Sequence, residues 1–360
     1  MGLIYLDGCF VEEDEARVSV FDHGLLYGDG VFEGIRAYEG RVFRLQAHIE
    51  RFFESARSIM LDIGMLPQEV SEVVLETLRR NGLRDAYIRL VATRGRGDLG
   101  LDPRKCPKAT VFCIAAQIQL YPESLYEQGL DVVTAATQRN TVNTVNARIK
   151  SLNYLNSVLA KIEANLAGVP EAIFLSSEGY VTECTGDNVF IVKKGRVITP
   201  PSYLGLLEGV TRNAILELAA KLGYPAVEAV FTRHDLYIAD ECFLTGTAAE
   251  MIPVVKVDGR SIADGKPGPV TRVLLQEFRK LAAVDGPEIF PVEGQENNPE
   301  AGTKSSKMRA LAEDGYNIGQ IAKNMGVSYQ QVYNTLGPAY TAASKEAEKA
   351  ASKRDGRARK

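Results

Sequence analysis

The order of strand-like and helical runs, each ended by a turn signal, constrains the fold of this chain most. Asp7-Gly8 and Glu39-Gly40 each separate two short strand-like runs, which predicts β-hairpins at residues 4–11 and 31–43. Gly168 and Gly223 each end an apolar-periodic run. Because strands and helices are mixed throughout the first part of the chain, we expect an α/β or α+β fold. The predicted helices cover residues 45–60, 67–80, 152–167, 210–222 and 268–281.

A change of composition divides the 360-residue chain into an enzyme-sized body and a C-terminal extension. The patterned runs stop after residue 283, and the next stretch is rich in Pro, Gly, Glu and Asn. A second break at Tyr121-Pro122 divides the body itself. We predict a smaller α/β domain at 1–120, a larger domain at 121–283, a linker at 284–306, a helix-turn-helix-like all-α module at 307–337 and a basic tail at 338–360.

Charge is distributed unevenly between these parts. The whole chain has a formal net charge of −4, which gives no sign of nucleic-acid binding by the body. Residues 304–360 hold 11 basic and 5 acidic side chains, whereas residues 1–303 hold 31 basic and 41 acidic ones. This asymmetry favours a separate module or tail at the C-terminal end.

The cysteines and histidines argue against a metal centre or a disulfide framework. The five cysteines are scattered and show no CxxC spacing, and only three histidines accompany them. We therefore expect reduced thiols and no metal. The chain starts without a charged-then-apolar signal region, and no apolar run is long enough to span a bilayer. These features predict a cytoplasmic protein without a membrane partner.

Lys150 is the first candidate for a catalytic residue. It precedes an apolar-periodic helical run, and Tyr154 follows four residues later. A lysine beside a phenol suits Schiff-base chemistry, because the amine must lose its proton near neutral pH and must be aimed at one atom. Most lysines are solvated surface residues, so this segment by itself does not decide between the two roles.

Glycine-rich segments suggest an anion site but not a dinucleotide site. Gly95–Gly100 matches GxGxxG, but a proline follows where a helix would have to begin, so we predict a loop there. Glu208–Arg212 and Thr245–Glu250 each combine glycine, a hydroxyl and free amides. Val210 and Thr211 begin a predicted helix, where an anion can bind. With an arginine nearby, these segments would form a phosphate cup.

Other polar side chains lie where they can meet a ligand's charged groups. Arg51 lies on a helix after a strand, and its planar fork suits phosphate. Tyr87 and Arg89 alternate on a strand, so they share one face and can hold a carboxylate. Glu183 ends a strand, where it could keep a pyridinium nitrogen protonated. Arg51 and Glu183 also have ordinary alternatives, since helix arginines are often solvated and acids are common at turns.

In chain order, these segments resemble the fold-type IV pyridoxal-phosphate enzymes, and most closely the branched-chain aminotransferases. The resemblance covers residues 1 to about 283 and rests on YGDGVFEGIR, HIER, YIR, RIKSLNYLN, TECTGDN, LEGVTRNAI and TGTAAEMIPVVKVDGR. It implies pyridoxal 5′-phosphate as the cofactor, a two-domain α/β (α+β) fold of the D-amino-acid-aminotransferase type, and a homodimer or higher homo-oligomer.

The resemblance also implies a role for each matching residue. Lys150 would be the Schiff-base lysine, which moves a proton between the substrate Cα and the cofactor C4′. Tyr154 would bind the cofactor's phenolic oxygen, and Glu183 its pyridine nitrogen. The other implied cofactor residues are Arg51, Gly186, Leu207, Val210, Thr211 and Thr247. The implied substrate residues are Tyr27, Phe32, Gly34, Tyr87, Arg89, Thr247 and Ala248, with Tyr27 reaching across a dimer interface.

The implied activity exchanges amino groups between Leu, Ile or Val and 2-oxoglutarate, giving branched 2-oxo acids and L-glutamate. A mostly apolar pocket with an arginine at its edge can accept both kinds of side chain in turn. Arg94 and Arg96 compete with Arg89 for the distal carboxylate of glutamate. A D-amino-acid aminotransferase and an aminodeoxychorismate lyase are alternatives within the same fold. A DNA-binding regulator that uses the body as a sensor is the alternative from another class.

The C-terminal extension goes beyond the resemblance and contains a helix-turn-helix-like pattern. Its predicted helices are 307–313, 318–325 and 329–336. Gly326 makes the turn, and Ser328 caps the last helix. The predicted apolar stripe comprises Ile318, Ile321, Ala322 and Met325. The side chains that could face DNA are Tyr329, Gln330, Gln331 and Asn334. Few basic residues lie on this last helix, so residues 307–360 are predicted to bind either DNA or a protein.

Overall fold

The computed structural model describes residues 2–118, 121–291, 308, 311–312, 318–325 and 332. The chain divides into two units, Met1–Phe290 and Pro291–Lys360. In the part of the chain that is described, no helix is long and apolar enough to cross a membrane. The same part contains no group of three or more His, Cys, Asp or Glu side chains that could hold a metal ion.

The first unit contains fifteen strands in two sheets and eight α-helices among its described residues. The strands are β1 (Leu3–Leu6), β2 (Cys9–Glu12), β3 (Gly30–Tyr38), β4 (Arg41–Val42), β5 (Ala86–Thr93), β6 (Thr110–Ala116), β7 (Leu130–Thr134), β8 (Glu171–Leu175), β9 (Val181–Cys184), β10 (Asn188–Lys193), β11 (Arg196–Thr199), β12 (Ala226–Glu228), β13 (Glu241–Gly246), β14 (Glu250–Val257) and β15 (Arg260–Ser261). The helices are α1 (His23–Tyr27), α2 (Leu45–Ser58), α3 (Pro67–Arg80), α4 (Glu123–Gln128), α5 (Leu155–Leu166), α6 (Val210–Lys221), α7 (Arg233–Tyr237) and α8 (Pro269–Ala282).

The first sheet is antiparallel and has the strand order β2-β1-β6-β5-β3-β4. Helices α2 and α3 bring Phe52 and Leu78 into the same core as Ile35 and Ile88 from the sheet. All four side chains are fully buried. Burial of this apolar surface contributes roughly 25 cal/mol per Å² and fixes the register of β3 and β5, because a one-residue slip would turn their apolar faces outward.

The second sheet has the order β12-β11-β10-β13-β14-β7-β8-β9, with β15 beside β14. It is mixed, since β7 runs parallel to β14 and β8, and β11 runs parallel to β12. One further pairing, between Glu183 and Asn188, connects β9, the last strand of this order, to β10. The sheet therefore curls round on itself. Helices α6 and α8 pack on it through Ile215 and Phe278.

The predicted elements are largely present, with differences at the ends. Helix α5 begins at Leu155 and not at residue 152, because residues 150–154 form tight turns in which Ser151 N donates to Ile149 O. Strand β12 ends at Glu228, and Phe231 beyond it accepts a hydrogen bond from Val181 N. Helices α1, α4 and α7 were not predicted, since runs of five or six residues are too short to show a helical period.

The chain stays packed on the first unit beyond residue 283. Ile289 is fully buried in the core of the first sheet. Its amide donates to Gly40 O, and Val42 N donates to Pro287 O. The predicted start of the linker at residue 284 is therefore wrong, and residues 292–306 lie outside the described residues. The division of the body near residue 120 stays a prediction, although the two sheets fall on either side of it.

Few residues of the C-terminal unit are described. Helix α9 (Ile318–Met325) confirms the second predicted helix of the module. Ile321 and Ala322 are buried together with Met308 and Val332. The predicted turn at Gly326, the cap at Ser328 and the residues predicted to face DNA all lie outside the described residues. The helix-turn-helix arrangement consequently stays a prediction.

A buried carboxylate fixes the start of α8, and this generates a prediction on stability. Glu241 accepts hydrogen bonds from Val270 N at 3.0 Å, from Thr271 N at 2.7 Å and from the Thr271 hydroxyl at 2.7 Å. Glu241→Gln replaces one acceptor oxygen by a donor, leaving a helix amide without a partner. We expect the free energy of unfolding to fall by about 1–3 kcal/mol. Urea denaturation measures this change, and an unaltered midpoint would contradict it.

Candidate active site

One cavity of about 440 Å³ brings most of the predicted site residues together. Strands β3 and β5 of the first sheet supply one wall, and the second sheet with the start of α6 supplies the other. The predicted residues that line it are Phe32, Gly34, Arg51, Tyr87, Arg89, Lys150, Tyr154, Gly186, Leu207, Val210, Thr211, Thr247 and Ala248. Residues separated by more than two hundred positions in the chain thus meet in one place.

Lys150 is held in the cavity by its backbone. Phe32 N donates to Lys150 O at 3.0 Å, and Leu152 N donates to Gly30 O at 3.0 Å, so the segment runs beside the start of β3. Lys150 Nζ lies 3.2 Å from the Tyr154 hydroxyl and 4.6 Å from the ring centre of Phe32. The amine is therefore aimed by two backbone contacts and bordered by two aromatic rings.

Tyr87 and Arg89 project from the same face of β5, as their alternation predicts. Arg89 Nη2 donates to the Tyr87 hydroxyl at 3.0 Å, and the Arg89 guanidinium lies 4.6 Å from the ring centre of Phe32. Gly34 is directly opposite Arg89 in the β3–β5 register. A Cβ atom at Gly34 would lie 2.2 Å from the Tyr87 oxygen, so glycine leaves the space that this hydroxyl occupies.

The start of α6 and the β13–β14 turn, which the sequence predicts to form an anion cup, both contribute residues to the cavity. Val210 and Thr211 are the first two residues of α6, and Thr247 faces them across the cavity. Thr245 also lines the cavity, and its buried hydroxyl has no hydrogen-bond partner among the described residues. Sequence reasoning did not single out Thr245, although it lies in the TGTAAE segment. A free buried hydroxyl at this place suits an oxygen-rich ligand.

Arg51 is fixed by a buried carboxylate that sequence reasoning did not identify. Its Nε and Nη2 donate to the two oxygens of Glu33, each at 2.8 Å, and its Nη1 donates to Glu208 O at 2.8 Å. His48 Nδ1 lies 2.8 Å from Glu33 Oε2. Burial alone would raise the pKa of Glu33, but the Arg51 guanidinium and His48 hold it at about 2. Burial lowers the pKa of His48, so this imidazole is neutral and donates from Nδ1 to the ionised carboxylate.

Glu183 lies just behind the cavity wall. Its Oε2 accepts from Leu207 N at 3.0 Å and from Asn188 Nδ2 at 3.4 Å. Arg139 Nη2 lies 2.7 Å from Oε1, but this oxygen accepts no hydrogen bond from the described residues. Burial raises the pKa of Glu183, and the Arg139 charge opposes that rise. Arg139 is thus the charged partner of this buried carboxylate.

A second polar group at the cavity contains Lys161, Glu171 and Asp187, none of which was predicted. Glu171 Oε1 accepts from Ala172 N at 2.7 Å and from Thr185 N at 3.1 Å. Asp187 is buried beside this carboxylate and also lines the cavity. Burial and the neighbouring Glu171 charge raise the pKa of Asp187 to about 8. This carboxyl therefore holds its proton at neutral pH.

Tyr27 and the competing arginines lie outside the cavity. The Tyr27 hydroxyl donates to Leu99 O at 2.5 Å. Arg94 binds Asp29 with Nε and Nη2 at 2.8 and 3.0 Å, so its guanidinium is engaged in a structural ion pair. The Arg96 guanidinium lies 6.0 Å from the ring centre of Phe21. Of the three arginines considered for a distal carboxylate, only Arg89 lines the cavity.

Residues 30–257 match the family model of the class IV aminotransferases. The chain belongs to this family. Its matched region contains all the residues of the cavity that were predicted from the sequence. The class IV match and the predicted fold-type IV resemblance therefore agree, and the fold with its two sheets is that of the family's solved structures.

Relatives of this class IV aminotransferase are similar over almost their whole length. A putative branched-chain-amino-acid aminotransferase of Methanocaldococcus jannaschii is 55% identical over 287 residues, which cover 80% of this chain and 99% of the relative. The crystal structure of the branched-chain aminotransferase from Thermoproteus uzoniensis with norvaline has a TM-score of 0.74 and 40% identity, covering 78% of this chain and 95% of that one. The branched-chain amino acid aminotransferase from Thermobaculum terrenum in its PLP form has a TM-score of 0.71 and 32% identity, covering 78% and 94%.

The buried Asp187 generates a prediction on pH-dependent stability. Its folded-state pKa is raised from 3.8 to about 8, so between these pH values the folded protein keeps a proton that the unfolded chain has released. The wild type therefore loses stability as pH rises through this window, by up to about 1.4 kcal/mol per pH unit. Asp187→Asn cannot titrate, so we expect its stability relative to the wild type to increase from pH 5 to pH 8 and then to stay constant.

Chemical denaturation of both proteins at several pH values measures this difference. Asp264→Asn, at an exposed turn, is the matched control and should show no such trend. A stability difference for Asp187→Asn that is the same at pH 5 and pH 8 would show that Asp187 is ionised throughout.

Proposed function

We propose that this protein is a pyridoxal-phosphate-dependent branched-chain-amino-acid aminotransferase. It exchanges amino groups between Leu, Ile or Val and 2-oxoglutarate, giving the branched 2-oxo acids and L-glutamate. The observation that carries this proposal is the cavity itself, in which Lys150 Nζ lies 3.2 Å from the Tyr154 hydroxyl and Arg89 borders the aromatic wall. The relatives named branched-chain-amino-acid aminotransferases support the same activity.

The residues present fit the cofactor. Lys150 offers the amine for its aldehyde, and Tyr154 offers a hydroxyl for its phenolic oxygen. Glu183 has a buried oxygen that accepts no hydrogen bond among the described residues, which suits a protonated ring nitrogen. The phosphate would be held by Arg51, Val210, Thr211 and Thr247, with Thr245 added by its unpartnered hydroxyl. Leu207 and Gly186 would border the ring.

Bound pyridoxal phosphate supplies an electron sink that lets the substrate Cα lose a proton. Lys150 moves that proton, because its amine is the basic group held between Phe32 and Tyr154. The backbone hydrogen bonds at Lys150 and Leu152 fix the place from which this side chain enters the cavity.

Arg89 would let one pocket serve two substrates. An aliphatic side chain can lie against Phe32 and beside Gly34, while the carboxylate of glutamate can reach the guanidinium of Arg89. Because Arg89 also stacks on Phe32 and holds the Tyr87 hydroxyl, it has a defined position with either substrate. The α-carboxylate would bind Tyr87 with the backbone amides of Thr247 and Ala248.

A homodimer is the assembly that we propose. Helix α5 has an apolar stripe at helical spacing that the described residues leave uncovered, with exposed fractions between 46% and 84%. The stripe consists of Leu155, Val158, Leu159, Ile162 and Leu166. Tyr27 would reach the partner's cavity across the dimer interface. DNA or protein binding through residues 307–360 and a cytoplasmic location stay predictions from the sequence.

The proposal is tested by the absorbance spectrum of the purified full-length protein. We expect a cofactor band that shifts when L-leucine or L-glutamate is added and that stays unchanged with D-alanine. Lys150→Ala should lose covalent attachment of the cofactor and reduce turnover by at least about a thousandfold. A shift with D-alanine alone would favour a D-amino-acid aminotransferase, and a covalently attached cofactor in Lys150→Ala would refute the lysine assignment.

Arg89 generates a prediction on substrate preference. Arg89→Leu removes the cation available to a distal carboxylate, so kcat/KM for L-glutamate should fall by about 10- to 100-fold. The value for L-leucine should fall much less, because an aliphatic side chain gains nothing from the charge. Single-turnover absorbance with each amino acid measures both values. Arg96→Leu is the comparison variant, and a glutamate-specific defect in it but not in Arg89→Leu would assign the carboxylate to Arg96.

A further inference from the structure

We propose that Glu33 is a positioning residue that selects the phosphorylated cofactor by fixing the orientation of Arg51. This inference rests on the proposed function, which assigns Arg51 to the cofactor phosphate. Glu33 is fully buried on β3, does not line the cavity and touches neither the cofactor space nor the substrate space. Its effect on the phosphate would therefore pass entirely through the arginine.

Three hydrogen bonds hold the guanidinium of Arg51 in one orientation. Glu33 receives two of its N–H groups in a fork, and Glu208 O receives a third. A guanidinium has five N–H groups, so one on each terminal nitrogen remains for the cavity. Both can donate to phosphate oxygens, because Arg51 lines the cavity. Without the Glu33 carboxylate, the Arg51 side chain could adopt several rotamers, and its N–H groups would no longer have one fixed direction.

Glu33 is itself held in place. His48 donates from Nδ1 to Glu33 Oε2 at 2.8 Å, so the carboxylate binds the imidazole on α2 as well as Arg51 on α2. Glu33 lies between Phe32 and Gly34, which both line the cavity. Successive side chains of a strand point to opposite faces, so Glu33 faces α2 while its neighbours face the cofactor space. One strand thus fixes the arginine and the aromatic wall together.

Charge and orientation predict opposite effects for this carboxylate. Glu33 lowers the positive potential at Arg51, so a purely electrostatic role would make its removal increase phosphate affinity. A positioning role makes its removal decrease that affinity, because the arginine must then be ordered when the phosphate binds. Whether phosphate affinity rises or falls when Glu33 is substituted therefore distinguishes the two roles.

The experiment compares binding of pyridoxal phosphate and of pyridoxal, which lacks the phosphate, to the full-length protein freed of cofactor. Glu33→Gln keeps the shape of the side chain but replaces one acceptor by a donor facing the guanidinium. We expect its Kd for pyridoxal phosphate to rise by about 10- to 100-fold while its Kd for pyridoxal changes less than about threefold. Glu241→Gln, another buried carboxylate that binds N–H groups remote from the cavity, is the matched control and should leave the ratio unchanged.

Two variants of Arg51 separate the possible failures. Arg51→Ala should reduce the preference for pyridoxal phosphate, and an unchanged ratio there would refute the phosphate assignment itself. The preference is the Kd for pyridoxal divided by the Kd for pyridoxal phosphate. If Arg51→Ala reduces this ratio but Glu33→Gln leaves it unchanged or increases it, only the positioning inference is wrong. Arg51→Lys retains the charge without the fork, so it should also lose the preference, and it tests the inference if Glu33→Gln does not fold. A ratio equal to wild type in Arg51→Lys would overturn the proposal.

Discussion

The attachment of residues 150–152 to the start of β3 is the contact on which the site depends. Two backbone hydrogen bonds, from Phe32 N to Lys150 O and from Leu152 N to Gly30 O, join a segment leading to the second sheet with a strand of the first. They place the lysine amine against Phe32 and Tyr154 without using its side chain. Backbone groups therefore set the position of the segment, and Lys150 Nζ donates to the Tyr154 hydroxyl at the end of the side chain.

The site also shows how buried charges are accommodated. Arg51 is paired with Glu33, and Glu183 with Arg139, so each ion has a partner at hydrogen-bonding or ion-pair distance. An unpaired buried charge would be very costly, and a pair is tolerated when further hydrogen bonds complete it. Asp187 follows the other route, since it avoids the cost by staying protonated. Both arrangements let charged and polar groups lie at or beside the cavity.

The sequence was sufficient for the longer elements and for most residues of the cavity. Glycine turns and apolar periods identified α2, α3, α6 and α8, and the family segments identified Lys150 and Arg51. The groups that were missed act across long sequence distances. Nothing local in the sequence marks Glu33 as the partner of Arg51, Asp187 as a protonated acid, or Thr245 as a hydroxyl without a partner. The start of α5 was misplaced because turns at Lys150–Tyr154 override the helical period that continues through them.

The curling of the second sheet has a consequence for how the protein can be made. The Glu183–Asn188 pairing closes a sheet whose other strands extend to Ser261, and the cavity also needs β3 and β5 from the first sheet. Such distant contacts form late, since each requires a long loop of chain to be closed first. A growing chain therefore lacks the complete cavity until these contacts have formed. The complete cup can assemble only after the chain has emerged from the ribosome beyond Ala248. Synthesis of the body must therefore precede binding of the cofactor.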